Sequence, residues 1–277
     1  MFSPSPLLEA LDEVGAAIGT ARRLAVFLDF DGTLSPIVAS PGLARLPDAT
    51  REALARLTQR EDCTVSIVSG RSLVDVRERV ALDGIIYAGN HGLEIDGAGL
   101  QFEEPVAVAL RTDVGGTVGS LLPLLSRIPG ALVEPKGLTA TVHYRLVGPE
   151  DRDEVERIVR QLVPEDHPSL VVVSGKMVWE IRPRVSWNKG KAVGWIRRRL
   201  GLGSDVATAF YLGDDRTDED AFEEVGRLVT AKVGPAQQTR AGFRIADTDE
   251  VASFLHWLAD VPRIVRKGPR LEFPSPL

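Results

Sequence analysis

The sequence predicts an α/β fold: a parallel sheet covered on both faces by helices, with a smaller α+β unit inserted into it. Three observations predict this. Short apolar runs alternate with helix-periodic segments in the first hundred residues and again after about residue 185. Each run ends in Gly, Ser or Asp. Between about 110 and 184 the pattern changes to helix–hairpin–helix–hairpin. Strands that read as continuous apolar runs between helices are the signature of a parallel sheet buried on both faces.

"LAVFLDFDG" (24–32) is the first strong strand, and "PDATREALARLTQR" (47–60) follows with Ala49, Ala53, Leu54 and Leu57 at helical spacing. "CTVSIVSG" (63–70) is a strand, "SLVDVRERV" (72–80) a helix, and "GIIYAGNHG" (84–92) a further strand. The inserted unit begins with "LRTDVGGTVGSLLPLLSRI" (110–128), whose glycines and proline blur its helix ends. "ALVEPKGLTATVHYR" (131–145) reads as a hairpin turning at Pro135–Gly137. "EDRDEVERIVRQLV" (150–163) is an amphipathic helix, and "LVVVSGKMVWEIRP" (170–183) a second hairpin turning at Ser174–Lys176. The insert thus has the order αββ-αββ. "WNKGKAVGWIRRRL" (187–200) returns to helix, "TAFYLGDD" (208–215) to strand, "RTDEDAFEEV" (216–225) to helix and "RLVTAKVG" (227–234) to a weaker strand. The expected division is therefore a discontinuous core, 1–109 with 185–277, and an insert at 110–184. The tail "RKGPRLEFPSPL" (266–277) is expected to be loosely held.

Composition narrows the function. The chain of 277 residues is 44% hydrophobic and 26% charged, ordinary for a globular protein. One cysteine, Cys63, excludes an internal disulfide and a cysteine-rich metal site, and its apolar surroundings suit a packed thiol rather than a nucleophile. Net charge −6 argues against a nucleic-acid partner. No basic, apolar leader and no apolar run of about 18 residues is present, so a cytoplasmic protein without a membrane partner is expected.

In parallel sheets ligands bind at the carboxyl ends of the strands, where every polar cluster here falls. Asp29 and Asp31 are two apart, so they share one side if the strand continues through them, and Gly32 allows a turn just beyond. A second acidic group, Asp214, Asp215, Asp218, Glu219 and Asp220, follows another apolar run. Acidic loop ends are commonly just solvated, and helix N-termini favour aspartate on their own account. That reading covers Asp215 or Asp218 singly, but not two clusters arriving together at strand ends. Two carboxylate clusters side by side make an oxygen-rich site suited to Mg2+. "SGR" at Ser69–Arg71 offers a hydroxyl and backbone N–H groups at a helix start, and Lys189 opens another helix; both suit an anion such as phosphate. Alone, such a serine is more often a cap and such a lysine a solvated charge; their order with the two acidic motifs raises them.

"DFDGTL", "SGR", Lys189 and "GDD", in that order, resemble the haloacid dehalogenase superfamily of phosphotransferases. The resemblance implies a Rossmann-like core with an inserted α/β cap. It further implies Asp29 as nucleophile, forming an aspartyl-phosphate, and Asp31 as general acid and base. Ser69 and Lys189 would hold the phosphoryl group, and Mg2+ would be held by Asp29, the backbone carbonyl of Asp31 and Asp214, with Asp215 close by. Within that superfamily "GNHGLE", "VEPKG", "VHYR", "GKMVWEIRP", "WNKG" and "GDDRTDEDAF" resemble the trehalose-6-phosphate phosphatases, a resemblance that spans core and insert. It implies release of trehalose and phosphate from trehalose 6-phosphate, with a small-molecule sugar phosphate as partner. Glu134, Lys136, Arg145, Lys176 and Glu180 would grip the sugar, Arg71 would bind substrate, and His91 would contact phosphate or sugar or brace its loop. Strand alternation independently places Lys176, Val178, Glu180 and Arg182 on one face and Met177, Trp179 and Ile181 on the other; Thr141, His143 and Arg145 lie opposite Val142 and Tyr144. His143 would be a surface strand residue and His167 and His256 structural. Val178 is apolar where a polar sugar contact would be in keeping with its neighbours. The alternatives are a phosphatase of another glycosyl phosphate (sucrose 6-phosphate, glucosylglycerol phosphate or mannosyl-3-phosphoglycerate), a non-catalytic sugar-phosphate-binding regulator, and a glycosyltransferase using "DFD" for metal and nucleotide. The last assigns no role to the other three motifs. Core and insert are expected to take up these residues, so a synthase, if one is involved, is expected on a separate polypeptide.

Overall fold

The computed structural model describes residues 4–19, 21–225, 229–235 and 238–262. The predicted loose tail, 266–277, lies outside them. The strands are β1 (Ser5–Pro6), β2 (Arg23–Leu28), β3 (Cys63–Val68), β4 (Ile85–Gly89), β5 (Glu94–Gly97), β6 (Leu100–Glu103), β7 (Leu132–Pro135), β8 (Ala140–His143), β9 (Leu170–Gly175), β10 (Val178–Pro183), β11 (Ala207–Gly213), β12 (Val229–Val233) and β13 (Phe243–Ile245). The helices are α1 (Leu11–Gly19), α2 (Asp48–Thr58), α3 (Leu73–Val80), α4 (Pro105–Ala109), α5 (Arg111–Leu125), α6 (Arg152–Asp166), α7 (Lys189–Arg199), α8 (Glu219–Val225) and α9 (Thr248–Asp260).

The larger sheet has the order β1-β13-β12-β11-β2-β3-β4-β5-β6. It is parallel from β1 to β4 and antiparallel at β5 and β6. Burial on both faces is visible in β2 itself. Leu24, Val26 and Leu28 pack with residues of α1, α2, α3 and α9, while Ala25 and Phe27 pack with residues of α7 and α8. Each large apolar side chain taken fully out of water there stabilises the fold by about 1.5–3 kcal/mol. β2 pairs with β11 on one side and β3 on the other. The residues that follow these three strands therefore emerge side by side at one edge. The β5–β6 hairpin is absent from the sequence-based expectations; its two-residue turn is Ala98–Gly99, both at positive φ, between the paired Gly97 and Leu100.

The smaller sheet, β7-β8-β10-β9, is antiparallel throughout. Val114, Val118, Leu121 and Leu125 of α5 and Val155, Val159 and Val163 of α6 cover one face, against Val133, Val142, Trp179 and Ile181. The αββ-αββ order is as expected. The second hairpin differs in detail: Gly175 pairs with Val178 and Ser174 with Trp179, so the turn is Lys176–Met177, not Ser174–Lys176. Met177, at φ 64°, lies in that turn rather than on the packed face with Trp179 and Ile181. No helix among the described residues is long and apolar enough to cross a membrane.

Candidate active site

The carboxyl ends of β2, β3, β4 and β11 and the uncovered face of the smaller sheet line one cleft. Asp29, one residue past β2, donates its N–H to Leu212 O on the neighbouring strand, which fixes its place at the cleft floor. Lys189, the first residue of α7, lies 2.9 Å from Asp29 and 2.7 Å from Asp218. α7 starts there because the Asn188 side chain accepts from Lys191 N, capping the helix. Lys189 is 2% exposed; burial would strip its proton, but Asp218 and Asp29 outweigh burial and hold its pKa above the ordinary value.

Asp218 is the residue that sequence reasoning left among the acidic neighbours without a role. It is fully buried, accepts from Lys189 and from Tyr211 Oη at 2.7 Å, and accepts from Asp215 N at 2.9 Å. Against burial, Lys189 and these donors hold its carboxyl below the usual range. Its three-residue spacing from Asp215 is a capping-box pattern, the one signal that hinted at a fixed orientation. Burial lifts Asp29 well above the usual carboxylate range, with Lys189 opposing and Asp218 and Asp214 reinforcing it.

Carboxylate oxygens of Asp29, Asp214 and Asp218 all lie within 4.8 Å of one another. Gly32, at φ +79°, makes room for this: a Cβ there would sit 2.2 Å from Asp214 Oδ2. Three carboxylates against two ammoniums, buried Lys189 on Asp29 and Asp218 and Lys176 on Asp214, still leave an oxygen-rich cluster with excess negative charge, which fits a hard divalent cation such as Mg2+. Asp215 lines the cleft but turns Oδ1 to its neighbour Arg216 N. Asp31 is drawn to the other side. Arg71 grips it with Nε and Nη2 at 2.6 and 2.7 Å, donates to Asp75 at 2.6 Å and to Pro41 O, and rests against the Phe30 ring. The guanidinium that resemblance assigned to substrate thus spends most of its donors inside the protein. Ser69 is buried beneath the cleft, its hydroxyl accepting from Arg71 N, whereas Gly70 and Arg71 form the lining.

The smaller sheet supplies the opposite wall. Glu134, Lys136, Thr141, His143, Arg145, Lys176, Val178 and Glu180 line it, so the predicted charged face does point inward. His143, expected on the surface, instead contacts Glu134 at 2.6 Å. Lys136 donates to Gly70 O at 3.1 Å and Lys176 to Asp214 Oδ2 at 2.5 Å, so two lysines tie this wall to the floor. Arg145 donates to Lys176 O at 3.0 Å. His91 packs on Gly70, where a Cβ would come within 2.6 Å of its ring, and reaches Glu180 at 3.2 Å and Arg182 at 2.8 Å. Burial, then the Arg182 charge, push the His91 pKa down to about 4.

Comparison with known proteins bears on what this arrangement belongs to. A family described as Trehalose-phosphatase matches residues 27–249. The chain is 42% identical over 273 residues to a trehalose-phosphate phosphatase of Mycobacterium tuberculosis (strain ATCC 25618 / H37Rv), covering 96% of this chain and 68% of that protein. It is 41% identical over 250 residues to an uncharacterized glycosyl hydrolase of the same strain, covering 87% of this chain but only 18% of the relative's length. A crystal structure of a trehalose-6-phosphate phosphatase related protein is similar with TM-score 0.74 and 27% identity, covering 85% of this chain and 96% of that one. The matched span runs from the β2 carboxylates through the smaller sheet to the acidic cluster after β11, and the chain belongs to the trehalose-phosphatase family.

Proposed function

We propose that the protein hydrolyses trehalose 6-phosphate to trehalose and inorganic phosphate, the closing step of trehalose formation, in the cytoplasm. The observation that carries the reading is Asp29 at the cleft floor, paired with buried Lys189 and faced across the cleft by a wall of carboxylates and ammoniums. In the first step an Asp29 carboxylate oxygen forms a bond to phosphorus as the phosphorus–sugar oxygen bond breaks. Asp31 gives a proton to the departing oxygen. In the second step water loses a proton to Asp31 and attacks phosphorus, and the bond to Asp29 breaks, releasing phosphate and restoring both side chains. Lys189 neutralises charge between Asp29 and the phosphoryl oxygens. Asp29, Asp214 and the Asp31 backbone carbonyl would hold Mg2+, with Asp215 acting at one remove; bound there, it would supply electrostatic stabilisation of the phosphoryl oxygens. Residues 110–184 act as a cap. Glu134, Lys136, Arg145, Lys176 and Glu180 bind sugar hydroxyls from it, and closure keeps bulk water from the acyl phosphate. A separate trehalose-6-phosphate synthase would supply the substrate.

The test is kinetic. Purified protein with Mg2+ is assayed on trehalose 6-phosphate, sucrose 6-phosphate, glucosylglycerol phosphate and mannosyl-3-phosphoglycerate. Trehalose 6-phosphate is expected to have the highest kcat/KM, activity to need Mg2+, and Asp29→Asn to abolish it. Preference for another member of the panel overturns the substrate; full activity of Asp29→Asn or in excess chelator overturns the mechanism. Absence of hydrolysis with the whole panel would favour the sugar-phosphate-binding regulator.

A further inference from the structure

Arg182 is absorbed by none of the roles above, yet it stands at the seam between the two sheets. It lies on β10 two residues beyond Glu180, so strand alternation turns both side chains toward the larger sheet. A single guanidinium nitrogen, Nη2, donates to Glu180 Oε2 and also contacts His91 Nε2 at 2.8 Å. Glu180 Oε1 is 3.2 Å from the same imidazole nitrogen. Two side chains of the smaller sheet and one from the turn after β4 therefore close on one another, 91 residues apart in sequence at the widest.

We propose that Arg182 is a positioning residue for substrate selection: it fixes the Glu180 carboxylate and the His91 ring at the seam, so that the preference for a glycosyl phosphate over a small aryl phosphate depends on it. The inference rests on the proposed glycosyl phosphatase reading, and three observations lead to it. Glu180 is a largely buried carboxylate on the cleft wall, and against burial the His91 ring and the Arg182 guanidinium hold it well below the usual range, hence ionised. Arg182 supplies a permanent positive charge in direct contact with that carboxylate. Arg182 Nη2 holds Glu180 Oε2 on the strand that carries both residues, which sets how the carboxylate is turned toward the cleft and the direction in which its remaining lone pairs accept sugar hydroxyls. Finally, Arg182 Nε and His91 Nδ1 are buried without a hydrogen-bond partner in the protein. Two such atoms in one contact cluster are uncommon. They mark an arrangement that satisfies the Glu180 carboxylate ahead of its own remaining donors.

A phosphate ester without a sugar has no hydroxyls for Glu180 to receive, so it reports folding and phosphoryl chemistry separately from sugar placement. Arg182→Gln, Glu180→Gln and the double variant are compared with wild type on p-nitrophenyl phosphate and on whichever glycosyl phosphate of the panel the wild type prefers. Arg182→Gln is expected to lower the ratio of kcat/KM for the glycosyl phosphate to that for p-nitrophenyl phosphate at least tenfold, mainly through KM. The double variant, which leaves no buried unpaired charge, is expected to be no worse in that ratio than Glu180→Gln, because Arg182 acts through Glu180. Equal losses on both substrates, an unchanged ratio, or additive effects of the two substitutions would each overturn the inference. A wild type that prefers a different sugar overturns the trehalose assignment alone.

Discussion

Replacing Asp218 with asparagine isolates the residue that anchors the proposed phosphate-binding lysine. The side chain keeps its shape but cannot keep its contacts. Oδ1 accepts from both Lys189 and Tyr211, and Oδ2 accepts from Asp215 N. In one amide orientation the new NH2 faces the Asp215 N–H; in the other it faces an ammonium and a phenol. Either way a buried donor meets a donor, which costs about 1–3 kcal/mol, and Lys189 loses one of its two counter-charges. Loss of one partner from a buried ion pair costs about 3–5 kcal/mol in total. For a protein of this size that corresponds to a melting point lower by about 6–20 °C. Lys189, released from Asp218 and still 2.9 Å from Asp29, would shift, and a misplacement of about 1 Å near reacting groups lowers kcat by about 10²-fold. Thermal unfolding followed by circular dichroism, with steady-state phosphate release at a temperature where both proteins are folded, measures both effects. A variant melting within 2 °C of wild type, as an order-of-magnitude floor on these costs, and retaining most of its activity would refute the anchoring role.

Further outcomes follow from other parts of the site. Stability should fall as pH drops from about 6.5 to about 4, because in that window the unfolded chain protonates His91 and the folded chain, with its pKa pushed down to about 4, does not. Denaturant melts across that range should show a loss of about 3 kcal/mol that His91→Gln removes; an unchanged slope in the variant would count against it. Burial pushes the Cys63 thiol up to about 12, so a thiol reagent at pH 8 should label the native protein much more slowly than the unfolded chain, although the residue is only partly buried. Rapid native labelling would show that the thiol is open to solvent. Gly32→Ala puts a methyl onto Asp214 at a positive φ, and should weaken Mg2+ binding measured by calorimetry at least tenfold while costing about 1–2 kcal/mol in backbone strain.

The core was readable because its signals are local. Apolar runs that end in Asp, Ser or Gly announce parallel strands and their ligand-facing edge, and Asp29, Asp214 and Lys189 do meet there. The αββ-αββ insert was readable from the same alternation that turns Glu180 inward and Trp179 into the core. What escaped was set by pairing across long separations or by backbone detail. The turn at Lys176–Met177 depends on which residue of β9 pairs with Val178, and one strand's pattern does not fix that register. Asp218 looked like one more acidic residue at a helix start, a position where aspartate is favoured in any case. Only Tyr211, seven residues earlier, and Lys189, twenty-nine earlier, distinguish it.

The pair Asp31–Arg71 carries that argument into function. From sequence, the two belonged to separate tasks, proton transfer and substrate binding, forty residues apart. In the fold Arg71 stands 5% exposed, and its bidentate grip, its bond to Asp75 and its contact with Phe30 leave it little freedom to follow a substrate. A side chain held this way sets geometry. Asp31 is drawn away from the Asp29–Asp214–Asp218 cluster, which keeps a fourth carboxylate from adding to the repulsion there. It is also held where it lines the cleft, the place the proposed proton transfer to a departing oxygen needs it. The two aspartates that sit two residues apart in the chain are thus given different partners, one an ammonium and the other a guanidinium. In the proposed mechanism that difference in partners, more than their spacing, would let one attack while the other carries protons.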